Sequence, residues 1–110
     1  MVTIWHNPKC STSRNALARL REKGVEPDIY LYVEEKPSKA EIEAVLKKAG
    51  LKPSELLRRK QPEAEKLKGA AEAQILAAMV KAPILIERPV VIGKKAAVLA
   101  RPIEKLDAVI

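Results

Sequence analysis

The chain's one cysteine and one histidine both lie in the stretch HNPKCSTSRN, residues 6–15. An inert free cysteine is usually buried among apolar side chains, whereas Cys10 has polar and basic neighbours. At the start of a helix, free backbone N–H groups and the positive end of the helix dipole stabilise an anion. The neighbours that also favour a thiolate are Lys9, Ser11, Thr12, Ser13 and Arg14. Cys10 is therefore predicted to be a nucleophile with a lowered thiol pKa.

The same group of backbone N–H donors can hold an oxyanion beside the sulfur, so that the nucleophile and the anion site coincide. Two interpretations of His6, four residues upstream, stay open. It is either a hydrogen-bonded structural histidine at the end of a strand, or a base or hydrogen-bond partner that assists thiolate formation and orients the loop.

Composition limits the chemistry further. A single cysteine excludes an internal disulfide and a multi-cysteine zinc site, so a redox reaction at Cys10 would take its second thiol from another molecule. The formal charge of +7 predicts an anionic partner, which is a small oxyanion, an acidic protein or a nucleic acid, unless the charge serves only solubility. Aromatic residues make up 3% of the chain, which leaves no run of rings for base stacking.

The elements around this loop follow a strand–helix–strand order. VTIW, residues 2–5, predicts a strand, and the helix after the loop ends near Gly24, a residue type common at helix C-termini. DIYLYV, residues 28–33, predicts a second strand. This order indicates a parallel βαβ unit with a right-handed crossover.

The middle of the chain, about residues 38–81, is predicted to be a helical insert. Ser38 and Glu41 form the S-x-x-E capping box of one helix, which ends at Gly50. Pro53 is expected in the first turn of a short helix. AEAQILAAMVKA, residues 71–82, predicts a further helix from the spacing of its apolar residues.

The last part of the chain is predicted to return to strands. ILI and VVI, residues 84–86 and 90–92, are predicted strands, and AAVLA, residues 96–100, pairs with VVI in a hairpin after the turn GKK. A final helix is expected after the dipeptide Arg101-Pro102.

These elements together predict an α/β fold. The expected architecture is a thioredoxin-like sandwich of βαβ, helical insert and ββα, with a mixed sheet and helices on both faces, in a single domain of residues 1–110. No apolar run approaches the ~20 residues of a membrane-spanning helix, and the N-terminus lacks a signal-peptide pattern. A cytoplasmic location is therefore expected.

Several motifs resemble one known family. HNPKCSTSRN resembles the active-site loop of the ArsC family, the glutaredoxin-coupled arsenate reductases. GVEPDIYLYVEEKPSKAEI resembles the second strand of that family and the helix after it. ELLRRKQ resembles the segment with its first essential arginine, and PILIERPVVI and LARP resemble the segments with the second and third. The likeness runs over about residues 2–106, with the motifs in family order.

The resemblance implies roles for residues of the loop. Cys10 corresponds to the nucleophile that attacks arsenate to give a thiol–arsenate adduct. His6 and Ser13 correspond to residues that tune the thiolate, and Ser11, Thr12 and Arg14 belong to the same supporting loop.

The resemblance also assigns three arginines and a proline. Arg58, Arg88 and Arg101 correspond to the arginines that hold the oxyanion and stabilise the reduced arsenic adduct, and Arg58 rather than Arg59 occupies the motif position. Arginine suits this role because its rigid fork pairs two oxygens and stays charged. Pro89 corresponds to the cis proline that thioredoxin-like folds place opposite the active site.

A second thiol is missing from the motif, since Ser13 stands where a glutaredoxin has the second cysteine of C-x-x-C. The resemblance implies that glutathione attacks the arsenic adduct and that a glutaredoxin reduces the resulting mixed disulfide. It implies no metal and no bound cofactor, with glutathione as a co-substrate only.

Three alternatives stay open. The chain stops at RPIEKLDAVI, where longer arsenate reductases continue, so that the substrate is arsenate, another oxyanion or a thiol-exchange substrate. A Spx-like regulator that binds RNA polymerase shares the fold, although Ser13 removes the C-x-x-C switch of such proteins. A small basic nucleic-acid-binding domain is permitted by the charge, but no binding motif supports it.

Overall fold

A computed structural model describes residues 2–110, whose contacts divide into two compact units. The first unit comprises the chain up to Tyr32 together with Arg88–Ile110. Its sheet has four strands, β1 Thr3–Trp5, β2 Asp28–Tyr30, β3 Val90–Ile92 and β4 Ala97–Leu99. This mixed sheet has the order β2-β1-β3-β4, in which β1 is parallel to β2 and antiparallel to β3, and β3 is antiparallel to β4.

Helix α1, Ser11–Glu22, connects the parallel strands β1 and β2. Its C-cap is Lys23, and Gly24 follows with a φ of +78°, a left-handed conformation that glycine adopts without steric cost. The chain then turns back, because the N–H of Val25 donates to the carbonyl of Leu20 at 2.9 Å. The predicted βαβ unit is confirmed.

The core of the first unit lies between the sheet, α1 and a C-terminal 3₁₀ helix, Ile103–Val109. In the register of the sheet, Ile4 lies opposite Val91. The fully buried core residues are Ile4, Ala16, Leu20, Val91, Ala100 and Leu106. The loop between β1 and α1 therefore projects from a firmly packed strand and helix.

The second unit, Val33–Glu87, is mostly helical. The short helix α2, Tyr32–Glu35, lies at the junction of the two units in the sequence, and the other elements are α3 Lys39–Ala49, α4 Pro53–Leu56, a 3₁₀ helix Pro62–Leu67, α5 Glu72–Lys81 and a 3₁₀ turn Pro83–Leu85. The predicted capping box of α3 is confirmed. The N–H of Glu41 donates to the Ser38 hydroxyl at 3.1 Å, and the Glu41 carboxylate accepts from the N–H of Ser38 at 3.0 Å.

One strand prediction was wrong in part, and another was wrong in full. The strand predicted over residues 28–33 ends at Tyr30, since its partner β1 is only three residues long, and α2 follows instead. The segment ILI, residues 84–86, is not a strand. Pro83 begins a 3₁₀ turn there, and only Ile86 makes an isolated antiparallel bridge, with Leu57. Proline favours this outcome because it lacks the N–H that a ladder needs.

The hairpin of β3 and β4 is confirmed, and the final helix is a 3₁₀ helix. No helix within residues 2–110 is both long enough and apolar enough to cross a membrane.

Candidate active site

A tight turn brings Cys10 to the start of α1. The N–H of Cys10 donates to the carbonyl of Asn7 at 3.0 Å, which closes a β-turn with Pro8 at its second position. Asparagine followed by proline is a favoured beginning for such a turn. Cys10 has an extended backbone, with φ −97° and ψ 121°, and immediately precedes the first helical residue. The sulfur thus lies at the positive end of the helix, as predicted.

Two of the three candidate arginines belong to the same unit as Cys10. Arg101 follows β4, and its Nη2 lies 3.7 Å from the sulfur of Cys10. Its Nε donates to the main-chain carbonyl of Arg88 at 2.7 Å, which fixes the plane of the guanidinium. Arg88 precedes β3 and is only 7% exposed. Arg88 also interacts with the thiol of Cys10, so two cations are held close to it.

Both of these arginines precede a proline. The Arg88–Pro89 peptide bond is cis, and the Arg101–Pro102 bond is cis as well. The second of these cis bonds was not predicted from the sequence.

The surroundings of Cys10 favour its thiolate. Burial alone would raise the pKa of the thiol, but the backbone N–H of Ser13, the guanidinium of Arg88 and the backbone N–H of Thr12 stabilise the anion, and the pKa falls below its usual value. The helix start and a cation both contribute, so the effect has two independent sources.

His6 contacts the loop through Ser13. Its Nδ1 lies 2.6 Å from the Ser13 hydroxyl, which also accepts the N–H of Asn7 at 3.1 Å. Burial, then the positive charges of Arg14 and Arg21, lower the pKa of His6, so the imidazole is neutral near pH 7. The Nδ1 of a neutral ring can accept a hydrogen bond from the Ser13 hydroxyl. Within residues 2–110, the hydrogen bond of the His6 ring is therefore with the loop residue Ser13 and not with the sulfur.

The other predicted loop residues have distinct positions. The Arg14 guanidinium donates to the carbonyl of Pro8 at 2.7 Å and so braces the turn. Thr12 acts through its backbone N–H, while Ser11 is exposed in the first turn of α1. Arg14 therefore contributes a contact to the loop backbone as well as its charge.

Sequence reasoning missed Asn7, which is 8% exposed and bonded to three parts of the loop. Its main chain accepts from Cys10 and donates to Ser13, and its side-chain Oδ1 accepts the N–H of Lys9 at 3.0 Å. The Asn-Pro dipeptide, a known turn signal, was the sequence feature that could have identified it.

Arg58, the third candidate arginine, belongs to the second unit. Its N–H donates to the carbonyl of Leu85, and the N–H of Glu87 donates to the carbonyl of Leu56, each at 2.7 Å. These bonds pair residues 56–58 with residues 85–87 as a short ribbon. Across it, Arg58 Nη1 lies 3.1 Å from the Glu87 carboxylate, and both side chains are about four-fifths buried, with exposures of 20% and 18%.

The ion pair with Glu87 does not use every N–H group of the Arg58 guanidinium. Its Nε is buried and has no hydrogen-bond partner within the described residues, 2–110. The same part of the chain contains no group of three or more histidine, cysteine, aspartate or glutamate side chains arranged to hold a metal ion.

Comparisons with known proteins agree with this fold. The ArsC family model matches residues 5–109. An arsenate reductase of Rhizobium meliloti is 44% identical over 107 residues, which are 94% of this chain and 76% of that protein. The uncharacterized protein YfgD of Escherichia coli is 39% identical over 110 residues, covering 96% of this chain and 92% of that protein. The solved structure of an arsenate reductase from Vibrio cholerae has a TM-score of 0.93 and 34% identity, and the match covers 99% of this chain and 97% of that one.

Proposed function

Because this chain belongs to the ArsC family, we propose that it is an arsenate reductase in which Cys10 is the nucleophile. Relatives over nearly the whole chain are named arsenate reductases. The observation that carries the proposal is the position of Arg101 Nη2, 3.7 Å from a sulfur whose pKa is lowered by its surroundings. A nucleophile and a cation for an oxyanion thus occupy the same place.

In the first step, the Cys10 thiolate attacks the arsenic atom of arsenate. A sulfur–arsenic bond forms, and one arsenate oxygen leaves as water after protonation. The thiolate form is required because the thiol itself is a poor nucleophile. The lowered pKa supports this step, since it increases the thiolate fraction near neutral pH.

The arginines bind and neutralise the oxyanion in this proposal. Arg101 and Arg88 supply guanidinium groups beside the sulfur, and each can pair with two oxygens of arsenate. Arg58 is assigned to the same role by its family position. His6 and Ser13 hold the loop and keep the backbone N–H groups directed at the sulfur.

The reduction needs two thiols from outside the chain, since Cys10 is its only cysteine. Glutathione attacks the sulfur of Cys10 in the adduct, so that a sulfur–sulfur bond forms, the sulfur–arsenic bond breaks, its electron pair passes to arsenic and arsenite leaves. A glutaredoxin then takes the glutathione from this mixed disulfide and regenerates the Cys10 thiolate, and a second glutathione releases glutathione disulfide from the glutaredoxin. In sum, one arsenate and two glutathione molecules give one arsenite, one glutathione disulfide and one water. Glutathione and thioredoxin systems keep thiols reduced in the cytoplasm, which supports a cytoplasmic location for the proposed reaction.

The first test is a coupled assay containing arsenate, glutathione, glutaredoxin, glutathione reductase and NADPH. We expect wild-type protein to consume NADPH and Cys10→Ser to lose turnover entirely, because serine has no comparable nucleophile. Circular dichroism should show that the variant is folded, since the two side chains are nearly isosteric. Full activity in Cys10→Ser would contradict the mechanism. An inactive wild type whose thiol titrates at low pH would point to a different oxyanion.

A further inference from the structure

Asn7 joins three parts of the loop that carries the nucleophile. It is the first residue of the turn, it is 8% exposed, and its three hydrogen bonds reach Lys9, Cys10 and Ser13. We propose that the Asn7 side chain is a positioning group that holds Cys10 against the first turn of α1. The proposal rests on the proposed function only in taking Cys10 as the nucleophile.

The side chain makes its own contribution, separate from that of the main chain. Its Oδ1 accepts the N–H of Lys9 at 3.0 Å, so it closes a second ring inside the turn that ends at Cys10. Lys9 is exposed, and its N–H could bond to water instead. The Asn7 side chain is therefore not needed to satisfy a buried hydrogen-bond donor. Its effect is to restrict the backbone of the residue immediately before the nucleophile.

The main chain of Asn7 ties this turn to the helix. Its N–H donates to the Ser13 hydroxyl at 3.1 Å, while the backbone N–H of the same serine is one of the groups that favour the Cys10 thiolate. The carbonyl of Asn7 accepts from the N–H of Cys10 itself. One residue thus fixes both the nucleophile and the donor that faces it.

Rigidity of this turn matters because interactions with a sulfur anion weaken steeply as distance and angle depart from the optimum. Arg14 also braces the turn, through the carbonyl of Pro8. Loss of the Asn7 side chain leaves the Lys9 peptide free to rotate, so Cys10 samples positions farther from the backbone N–H groups of the helix. The thiolate is then less stabilised.

The test compares Asn7→Ala, Asn7→Ser and a matched control, Asn15→Ala, which removes an exposed asparagine of the same helix. Each protein is alkylated with iodoacetamide across a range of pH, without arsenate or glutathione. We expect Asn7→Ala to react about fivefold more slowly below the thiol pKa, the loss that one hydrogen bond of ordinary strength would produce. The plateau rate at high pH should be unchanged, because the thiol is fully ionised there.

Asn7→Ser should recover much of the rate, since a serine hydroxyl can accept the same N–H, although more weakly. Asn15→Ala should match the wild type. An Asn7→Ala profile that coincides with the wild-type profile would overturn the proposal, as would an equal loss in Asn7→Ser and Asn7→Ala. If Asn7→Ala does not fold, Asn7→Ser remains decisive, since its profile must still shift slightly toward higher pH.

The alkylation test of Asn7 does not depend on the identity of the substrate, because it contains neither arsenate nor glutathione. A wild-type protein with a low thiol pKa and no turnover of arsenate would contradict the proposed function and leave the role of Asn7 standing. Normal turnover of arsenate by the wild type, with an unshifted alkylation profile in Asn7→Ala, would support the proposed function and contradict the role of Asn7.

Discussion

The two regions that carry the candidate arginines hold them in different ways. Around the nucleophile, Arg101 is anchored by a main-chain carbonyl, and its Nη2 lies at the sulfur. In the ribbon of residues 56–58 and 85–87, Arg58 is paired with the carboxylate of Glu87. An arginine that pairs with a carboxylate has part of its charge already balanced, and Arg58 is in that position.

This difference suggests different contributions to the chemistry. Arg88 helps to lower the pKa of Cys10, and Arg101 has its Nη2 3.7 Å from the sulfur. The Glu87 carboxylate orients the Arg58 guanidinium. Arg58 is therefore expected to act on the bound oxyanion and not on the thiol. The three arginines assigned by resemblance are therefore expected to differ in what their removal changes.

The largest expected effect separates Arg88 from Arg58. Arg88→Ala should slow alkylation of Cys10 below its pKa by about tenfold or more, because a charge-assisted interaction with the thiolate is lost. Arg58→Ala should leave this rate close to the wild-type value while weakening arsenate turnover in the coupled assay. Arg59→Ala is the matched control, since that guanidinium is exposed and donates to the carbonyl of Ser54 at 3.5 Å. Equal alkylation rates in Arg88→Ala and Arg58→Ala would remove the distinction between the two regions.

A smaller effect is expected for the carboxylate of the ribbon. Glu87→Gln keeps the shape of the side chain but removes the charge that faces Arg58, and should lower the free energy of unfolding by about 1 kcal/mol. Glu65→Gln serves as the control, because its ion pair with Lys68 is more than three-quarters exposed and such pairs contribute little. Urea denaturation measures both variants. A change in Glu65→Gln as large as that in Glu87→Gln would mean that the buried pair has no special weight.

The smallest effect concerns the only histidine. Burial and two nearby arginines lower the pKa of His6 in the folded protein. The unfolded chain therefore binds the proton more readily, and stability is lost as pH falls below the ordinary value of 6.5 toward the folded pKa. Urea denaturation as a function of pH should show this loss in the wild type and a smaller one in His6→Gln. A variant with an undiminished pH dependence in this range would assign the loss to other groups.

Local signals were the part of the fold that the sequence predicted well. The capping box of α3, the proline of α4, and the left-handed glycines after α1 and α3 all depend on residues within about four positions of each other. The turn residues before Cys10 and the helix after it are local in the same sense. The segment ILI failed because a strand depends on a ladder partner, and only a single bridge to Leu57 is formed.

The features of the candidate site are likewise either local in the sequence or dependent on tertiary contacts. The sequence by itself determined that one thiol stands at the start of a helix with basic and hydroxylated neighbours, since the chain order fixes those distances. Only the tertiary structure decided that Arg101, 91 residues away, has its Nη2 at the sulfur, and that Arg58 meets Glu87 across a ribbon. It also decided that Gly93 must lack a side chain, because a Cβ there would collide with the carbonyl of Val109. Contacts between distant residues depend on how packed strands and helices are stacked, and no local spacing records that.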